Sequence, residues 1–153
     1  MELQERVSEL MMAGFFGQEL DAALAEHIGA IKPSGLIFFR RNIVSPEQVA
    51  RLSRDIQRLA LEELGRPLLL AVDQEGGTVA RLTPPFSQLP DAKVLGAEGP
   101  EAVSRWARLS AQEMKLVGLN LNFAPVLDVN LLDSAGPMER RSFGRDPALV
   151  AEC

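Results

Sequence analysis

The sequence predicts an α/β protein in which parallel strands are joined by crossover helices. Three observations carry that expectation. Stretches with apolar residues three and four apart alternate with short, continuous apolar runs. The runs at 36–39 and 68–72 lack polar alternation, as in strands buried on both faces. Polar segments, RRNI, DQEGG and DVN, follow the apolar runs, so they converge on one end of a parallel sheet.

The elements follow in order. Residues 2–13 place Leu3, Val7, Leu10 and Met11 at helical spacing. Residues 19–31 repeat the pattern with Leu20, Leu24, Ile28 and Ile31. Lys32-Pro33 breaks that helix, and the first strand begins at Leu36. Ser45-Pro46-Glu47-Gln48 is a helix start. Serine is the N-cap, proline the first helical residue, and Gln48 is placed to complete a capping box. The helix turns Val49, Leu52, Ile56 and Leu59 inward, and Gly65 ends it. A second strand, PLLLAVD, leads to a proline-rich loop over 83–91. A further helix is expected over 100–117, closed by Gly118. LNLNFAPVLDV is the third strand, and a long loop over 133–147 precedes a helix opening at Pro147. Two architectures fit, an open doubly wound sheet or part of a (β/α)8 barrel. Both put ligands at the carboxyl ends of strands. Three or four strands are too few to close a barrel, which takes about eight.

Composition narrows the function. The 153 residues are 46% hydrophobic and 24% charged, enough for one modest domain with a core. The net charge is −5, and no basic patch interleaved with aromatics exists, so nucleic acid is not an expected partner. One cysteine, Cys153, and one histidine, His27, supply neither an intrachain disulfide nor a zinc site of the usual kind. No cofactor or metal is expected. The opening MELQERV carries two acids before its first arginine, unlike a signal peptide, and no apolar run approaches the roughly 18 to 20 residues that span a bilayer. No membrane partner is expected, and the expected compartment is cytoplasmic.

The chemistry concentrates in DQEGGTVAR. Asp73 ends a buried strand, Gly76 and Gly77 allow positive φ and close backbone approach, and Arg81 brings a fork of donors. A carboxylate there can accept from two vicinal sugar hydroxyls. The plainer alternative is a strand end with a polar turn, with Arg81 paired to Asp73 or Glu75. The glycine pair is not a phosphate loop, since the G-x-x-x-x-G-K-[ST] spacing is absent. ERRSFGRDP is equally two-sided. Arg140, Arg141 and Arg145 among Glu139 and Asp146 form either a solvated salt-bridge network or a loop aiming one arginine into a site. Asp128 is as suited to capping a turn as to touching a ligand. His27 reads as an ordinary surface or half-buried histidine, Trp106 as packing, and Phe15, Phe16, Phe38 and Phe39 as core.

GLIFFRRNI, AVDQEGGTVARL, Pro90, GLNLNFAPVLDV and RSFGRDP occur in this order. The series resembles the N-terminal part of family 3 glycoside hydrolases, near the bacterial cytoplasmic β-N-acetylhexosaminidases of cell-wall recycling. The resemblance spans essentially the whole chain and implies the N-terminal part of a (β/α)8 TIM-type barrel, truncated, over residues 1–153. It implies a retaining glycosidase releasing terminal β-N-acetylglucosamine, with a small saccharide as partner. It places the substrate-binding aspartate on Asp73 and two sugar-contacting arginines on Arg81 and Arg141. Thr78 stands where the family commonly has arginine, and Met138-Glu139 where it has isoleucine-glycine before the RSFG element, a change expected to bear on how Arg141 is presented. The KHFPGHG segment, the acid/base histidine beside it and the aspartate nucleophile have no counterpart in residues 1–153, so no catalytic residue is expected in this chain. A β-glucosidase-type enzyme of the family and a non-catalytic or functionless half-barrel are the alternatives. A part-barrel is also expected to be poorly stable or to self-associate through its open strand edges.

Overall fold

The computed structural model describes residues 3–131 and 136–153. They divide into two compact units, one of Met1–Val72 with Met114–Asn122, the other of Asp73–Glu113 with Phe123–Cys153.

The first unit holds a four-stranded parallel sheet. Its strands are β1 (Met12–Gly14), β2 (Gly35–Phe38), β3 (Leu69–Val72) and β6 (Leu121–Asn122), in that spatial order. The helices between them are α1 (Leu3–Ser8) before β1, α2 (Ala22–Ile31), and α3 (Pro46–Leu64). The α/β class with parallel strands and crossover helices is therefore what the sequence predicts. Register sets Leu36 against Leu70 and Phe38 against Val72, and all four side chains are fully buried. Leu24 and Ile28 of α2 and Val49, Leu52 and Ile56 of α3 complete this core.

Local chemistry sets the helix ends. Asp21 caps α2 by accepting from the Leu24 amide at 2.8 Å. Ser45 accepts from the Gln48 amide at 3.2 Å, and Gly65 closes α3 in the left-handed region. The reciprocal bond differs from the expected capping box. Gln48 Oε1 accepts from the Val44 amide at 2.9 Å, one residue before the cap, because its amide nitrogen is drawn to the carbonyls of Gln18 and Asn42.

The N-terminal expectation needs correction. The helix expected over 2–13 ends at Ser8, and Leu3, Val7, Leu10 and Met11 are all exposed. Residues 12–14 instead form the first strand, with Met12 facing Gly35. Three residues are too few to show a period, so pairing with β2 decided their state. The four phenylalanines also split. Phe15 and Phe38 are buried edge-to-face, their centroids 5.0 Å apart. Phe16 is 82% exposed and Phe39 half-buried, and both flank the Arg41 guanidinium at 4.8 and 4.6 Å.

LNLNFAPVLDV pairs only at Leu121 and Asn122. Asn120 extends the pairing with its side chain, accepting from Leu70 N at 2.7 Å and donating to Leu68 O at 3.2 Å. From Phe123 onward the chain leaves the sheet. Of the loop expected over 133–147, residues 133–135 lie outside the described residues.

The second unit contains the hairpin of β4 (Gln74–Gly76) and β5 (Val79–Ala80), the helix α4 (Ala92–Glu98), most of α5 (Pro100–Leu116) and α6 (Pro147–Glu152). Neither the hairpin nor α4 is predicted from the sequence. The last helix opens at Pro147, where expected, with Asp146 capping the Ala148 amide at 2.9 Å. Ala92, Leu95, Val103, Phe143 and Val150 form the core of this unit, and Trp106 packs against it as a structural residue. No helix among the described residues is long and apolar enough to cross a membrane.

Asn42 ties the first unit together. It is fully buried, accepts from the Phe39 amide at 2.9 Å, and donates to the carbonyls of Phe15 and Gly17 at 3.2 and 2.8 Å. It thereby joins the segments that leave β1 and β2. Asn42→Ala leaves one buried donor and two carbonyls without this partner. We expect a loss of about 1–3 kcal/mol, seen as a lower urea midpoint with an unchanged m-value.

Candidate functional site

The candidate site grows from the tripeptide that follows β3. Asp73 and Gln74 both engage Arg81, and Glu75 engages Arg141. Asp73 Oδ2 accepts from Arg81 Nη2 at 3.0 Å. Gln74 is buried, and its Oε1 accepts from the Arg81 and Leu82 amides, both at 2.9 Å, while its Nε2 donates to Leu82 O at 3.2 Å. Glu75 accepts from Arg141 twice, Nε at 2.8 Å and Nη2 at 2.7 Å. Strand alternation separates Gln74 from Asp73 and Glu75, because neighbouring side chains leave opposite faces.

The turn after the tripeptide needs glycine. Gly76 has φ +106° and Gly77 φ +52°. A Cβ on Gly76 would collide with the Pro90 carbonyl, and one on Gly77 with the Asp91 carboxylate. The paired glycines therefore let the hairpin lie against residues 89–91, where the Gly77 amide donates to Leu89 O at 2.9 Å.

Arg141 sits in the turn after Met138, whose carbonyl accepts from the Arg141 and Ser142 amides. Ser142 Oγ donates to Asp128 O at 2.6 Å, so Asp128 helps anchor this loop through its backbone. The substitution of Met138-Glu139 for isoleucine-glycine leaves both residues employed. Met138 Sδ lies 3.8 Å from Arg141 Nη1, and Glu139 pairs with Lys93 at 2.8 Å. That lysine holds the Glu139 carboxyl below the usual carboxylate range. Arg140 makes two bonds to Asp91 Oδ2, from Nε at 2.9 Å and Nη2 at 2.5 Å. The arginine loop is thus a salt-bridge network on its outer side and a tethered guanidinium on its inner side.

All three residues named for the site fall in the second unit. Asp73 directly follows a parallel strand. Arg81 instead follows β5, the return of an antiparallel hairpin, because Gln74 folds the chain back onto itself. Arg141 pairs with Glu75 rather than with Asp73. The residues missed as contributors are Gln74 and Glu75. Their signal was present, since a glutamine and an acid in a strand beside two glycines need partners when buried.

The electrostatics follow from these pairs. The bidentate bond with Glu75 raises the Arg141 pKa above the ordinary arginine value, and the charges of Glu75, Asp128 and Asp73 add to it while partial burial opposes it. Arg81 Nε is buried with no hydrogen-bond partner among the described residues. His27 is half-buried on α2 and lies outside this unit. No group of three or more His, Cys, Asp or Glu that could hold a metal ion occurs among the described residues.

Comparison with known proteins is consistent across sequence and structure. The family model described as Glycosyl hydrolase family 3 N terminal domain matches residues 2–153. The β-hexosaminidase of Xanthomonas oryzae pv. oryzae is 37% identical over 149 residues, covering 93% of this chain and 43% of the relative. A β-hexosaminidase of Xylella fastidiosa is 36% identical over the same shares. The chain thus spans about two fifths of the length of the curated relatives it matches. Among solved structures, a family 3 β-N-acetylglucosaminidase from Paenibacillus sp. superposes with TM-score 0.94 at 38% identity, over 99% of this chain and 29% of that one. NagZ from Neisseria gonorrhoeae, in complex with N-trifluoroacetyl-D-glucosamine, matches with TM-score 0.82 at 32% identity, over 95% of this chain and 43% of that one. The fold class is accordingly that of the N-terminal part of a (β/α)8-type barrel.

The hairpin turn offers a test by comparison. Gly65 and Gly76 both have positive φ, but only Gly76 is crowded by neighbouring backbone. Gly65→Ala therefore carries the strain of the left-handed region alone, about 1 kcal/mol. Gly76→Ala carries that strain and a collision with Pro90, so it lowers the urea midpoint further. Equal midpoints for the two variants would contradict the close approach.

Proposed function

Because the chain belongs to glycosyl hydrolase family 3, we propose that it carries the sugar-binding part of a β-N-acetylhexosaminidase acting on terminal β-N-acetylglucosamine. The observation that carries the reading is the gathering of two carboxylate–arginine pairs, Asp73 with Arg81 and Glu75 with Arg141, within one unit. The names of the relatives and the N-acetylglucosamine analogue in one solved neighbour support it.

The roles follow from donor and acceptor chemistry. Asp73, about a quarter exposed, accepts from vicinal ring hydroxyls, and charge assistance makes such bonds strong. Arg81 and Arg141 donate to hydroxyl or carbonyl oxygens. Among the described residues, Arg141 Nη1 meets only the Met138 sulfur, a weak acceptor, so Arg141 keeps donors in reserve while paired to Glu75. These groups bind and orient the sugar. They supply neither a nucleophile placed for attack nor an acid/base histidine, so the bond-breaking step of a retaining mechanism depends on groups outside residues 1–153.

Two measurements test the proposal. Calorimetric titration with N-acetylglucosamine should show binding that Asp73→Ala and Arg141→Ala each weaken about tenfold or more, the effect expected when a hydrogen bond to a charged group is lost. A chromogenic N-acetylglucosaminide should not be turned over by the 153-residue chain. Turnover that disappears on Asp73→Ala would place the chemistry inside this chain. Absence of saccharide binding would remove the sugar site.

A further inference from the structure

We propose that Glu75 is the positioning residue for Arg141, and that its carboxylate decides which edge of that guanidinium a saccharide meets. This deepens the sugar-site reading above and rests on it.

Geometry makes the case. Arginine offers five N–H donors in a rigid plane. Glu75 engages the Nε edge with two bonds of 2.8 and 2.7 Å, one to each carboxylate oxygen. That geometry fixes the rotation of the guanidinium plane as well as its position. The donors left over are both hydrogens of Nη1 and one of Nη2. Among the described residues Nη1 has only the Met138 sulfur at 3.8 Å, which leaves the edge opposite Glu75 to a ligand oxygen.

Burial shows which partner holds the other. The Glu75 side chain is 8% exposed and that of Arg141 32%. The acid is the fixed member, seated in β4 between buried Gln74 and the crowded Gly76. Arg141 sits in a turn secured by backbone bonds to Met138, which restrains its main chain but leaves a long, rotamer-rich side chain to be ordered. The same dipeptide acts on both arginines, since Gln74 holds the Arg81 backbone while Glu75 holds the Arg141 side chain. Electrostatics agree with the geometry, since the Glu75 bond is the main cause that raises the Arg141 pKa.

The test combines binding with a direct view of the arginine. Nitrogen-15 spectra of the full chain report each arginine Nε–H group, and the Arg141 signal is the one missing from Arg141→Lys. We expect Glu75→Gln to shift and broaden that signal, and to weaken N-acetylglucosamine binding about tenfold or more. Glu75→Asp keeps the charge on a shorter arm and should recover part of the affinity. It supplies the same comparison if Glu75→Gln does not fold. In an Arg141→Lys background, Glu75→Gln should cost no further affinity, because the acid acts only through the arginine. An unchanged affinity in Glu75→Gln, or an equal loss in both backgrounds, overturns the positioning role while leaving the sugar site intact. A wild-type chain that binds no saccharide, yet shows an Arg141 signal dependent on Glu75, overturns the sugar-site reading and reduces the pair to scaffolding.

Discussion

A guanidinium taken partly out of water needs a carboxylate held in place, and the chain from Asp73 to Gly77 meets that need twice. Removing one partner of such a pair leaves a charge with reduced solvation, which is more damaging than the pair is stabilising. The two pairs are therefore constraints on everything near them. Asp73 must emerge from β3 at the right point, Gln74 must turn the hairpin back, and the arginine turn must reach Glu75. Each requirement is met by hydrogen bonds from placed side chains or by glycine, devices that leave little slack.

The two units use different means to the same end. In the first, parallel pairing puts Leu36, Phe38, Leu70 and Val72 into a dry core, and one buried amide, Asn42, satisfies the irregular backbone after the first two strands. In the second, regular pairing is nearly absent. Side chains do the joining instead. Gln74, Glu113 and Ser142 each bond to backbone groups of distant or folded-back segments, and Glu113 takes both the amide and the hydroxyl of Ser87. Polar side chains can stand in for a missing ladder because a buried N–H can donate to any well-placed oxygen and a buried carbonyl can accept from any well-placed donor.

This difference explains how much was legible beforehand. Segments with a long period were readable. Helix α3, with its serine cap, proline and terminal glycine, lies where the sequence puts it, and so do α5 and the opening of α6. Strands β2 and β3 were visible as apolar runs. Short elements were not. Strand β1 and the β4–β5 hairpin have two or three residues each, below any detectable period, and exist because a partner lies alongside. The exposed Leu3, Val7, Leu10 and Met11 show the reverse failure, a helical pattern that tertiary pairing cut short after Ser8.

The sequence by itself determined the α/β class and the family, and singled out an acid and two arginines as candidates, because these reside in residue type and local spacing. Tertiary structure alone decided which charge meets which. Asp73 has one acidic alternative, Glu75, two residues on, and three arginines lie downstream in one loop. Local rules do not choose among partners separated by 66 positions, as Glu75 and Arg141 are. The choice followed from the hairpin that turns Arg81 back to Asp73 and from the turn at Met138 that brings Arg141 to Glu75. A strand's alternation is written locally, but what waits on either side of it is settled only when the chain is folded.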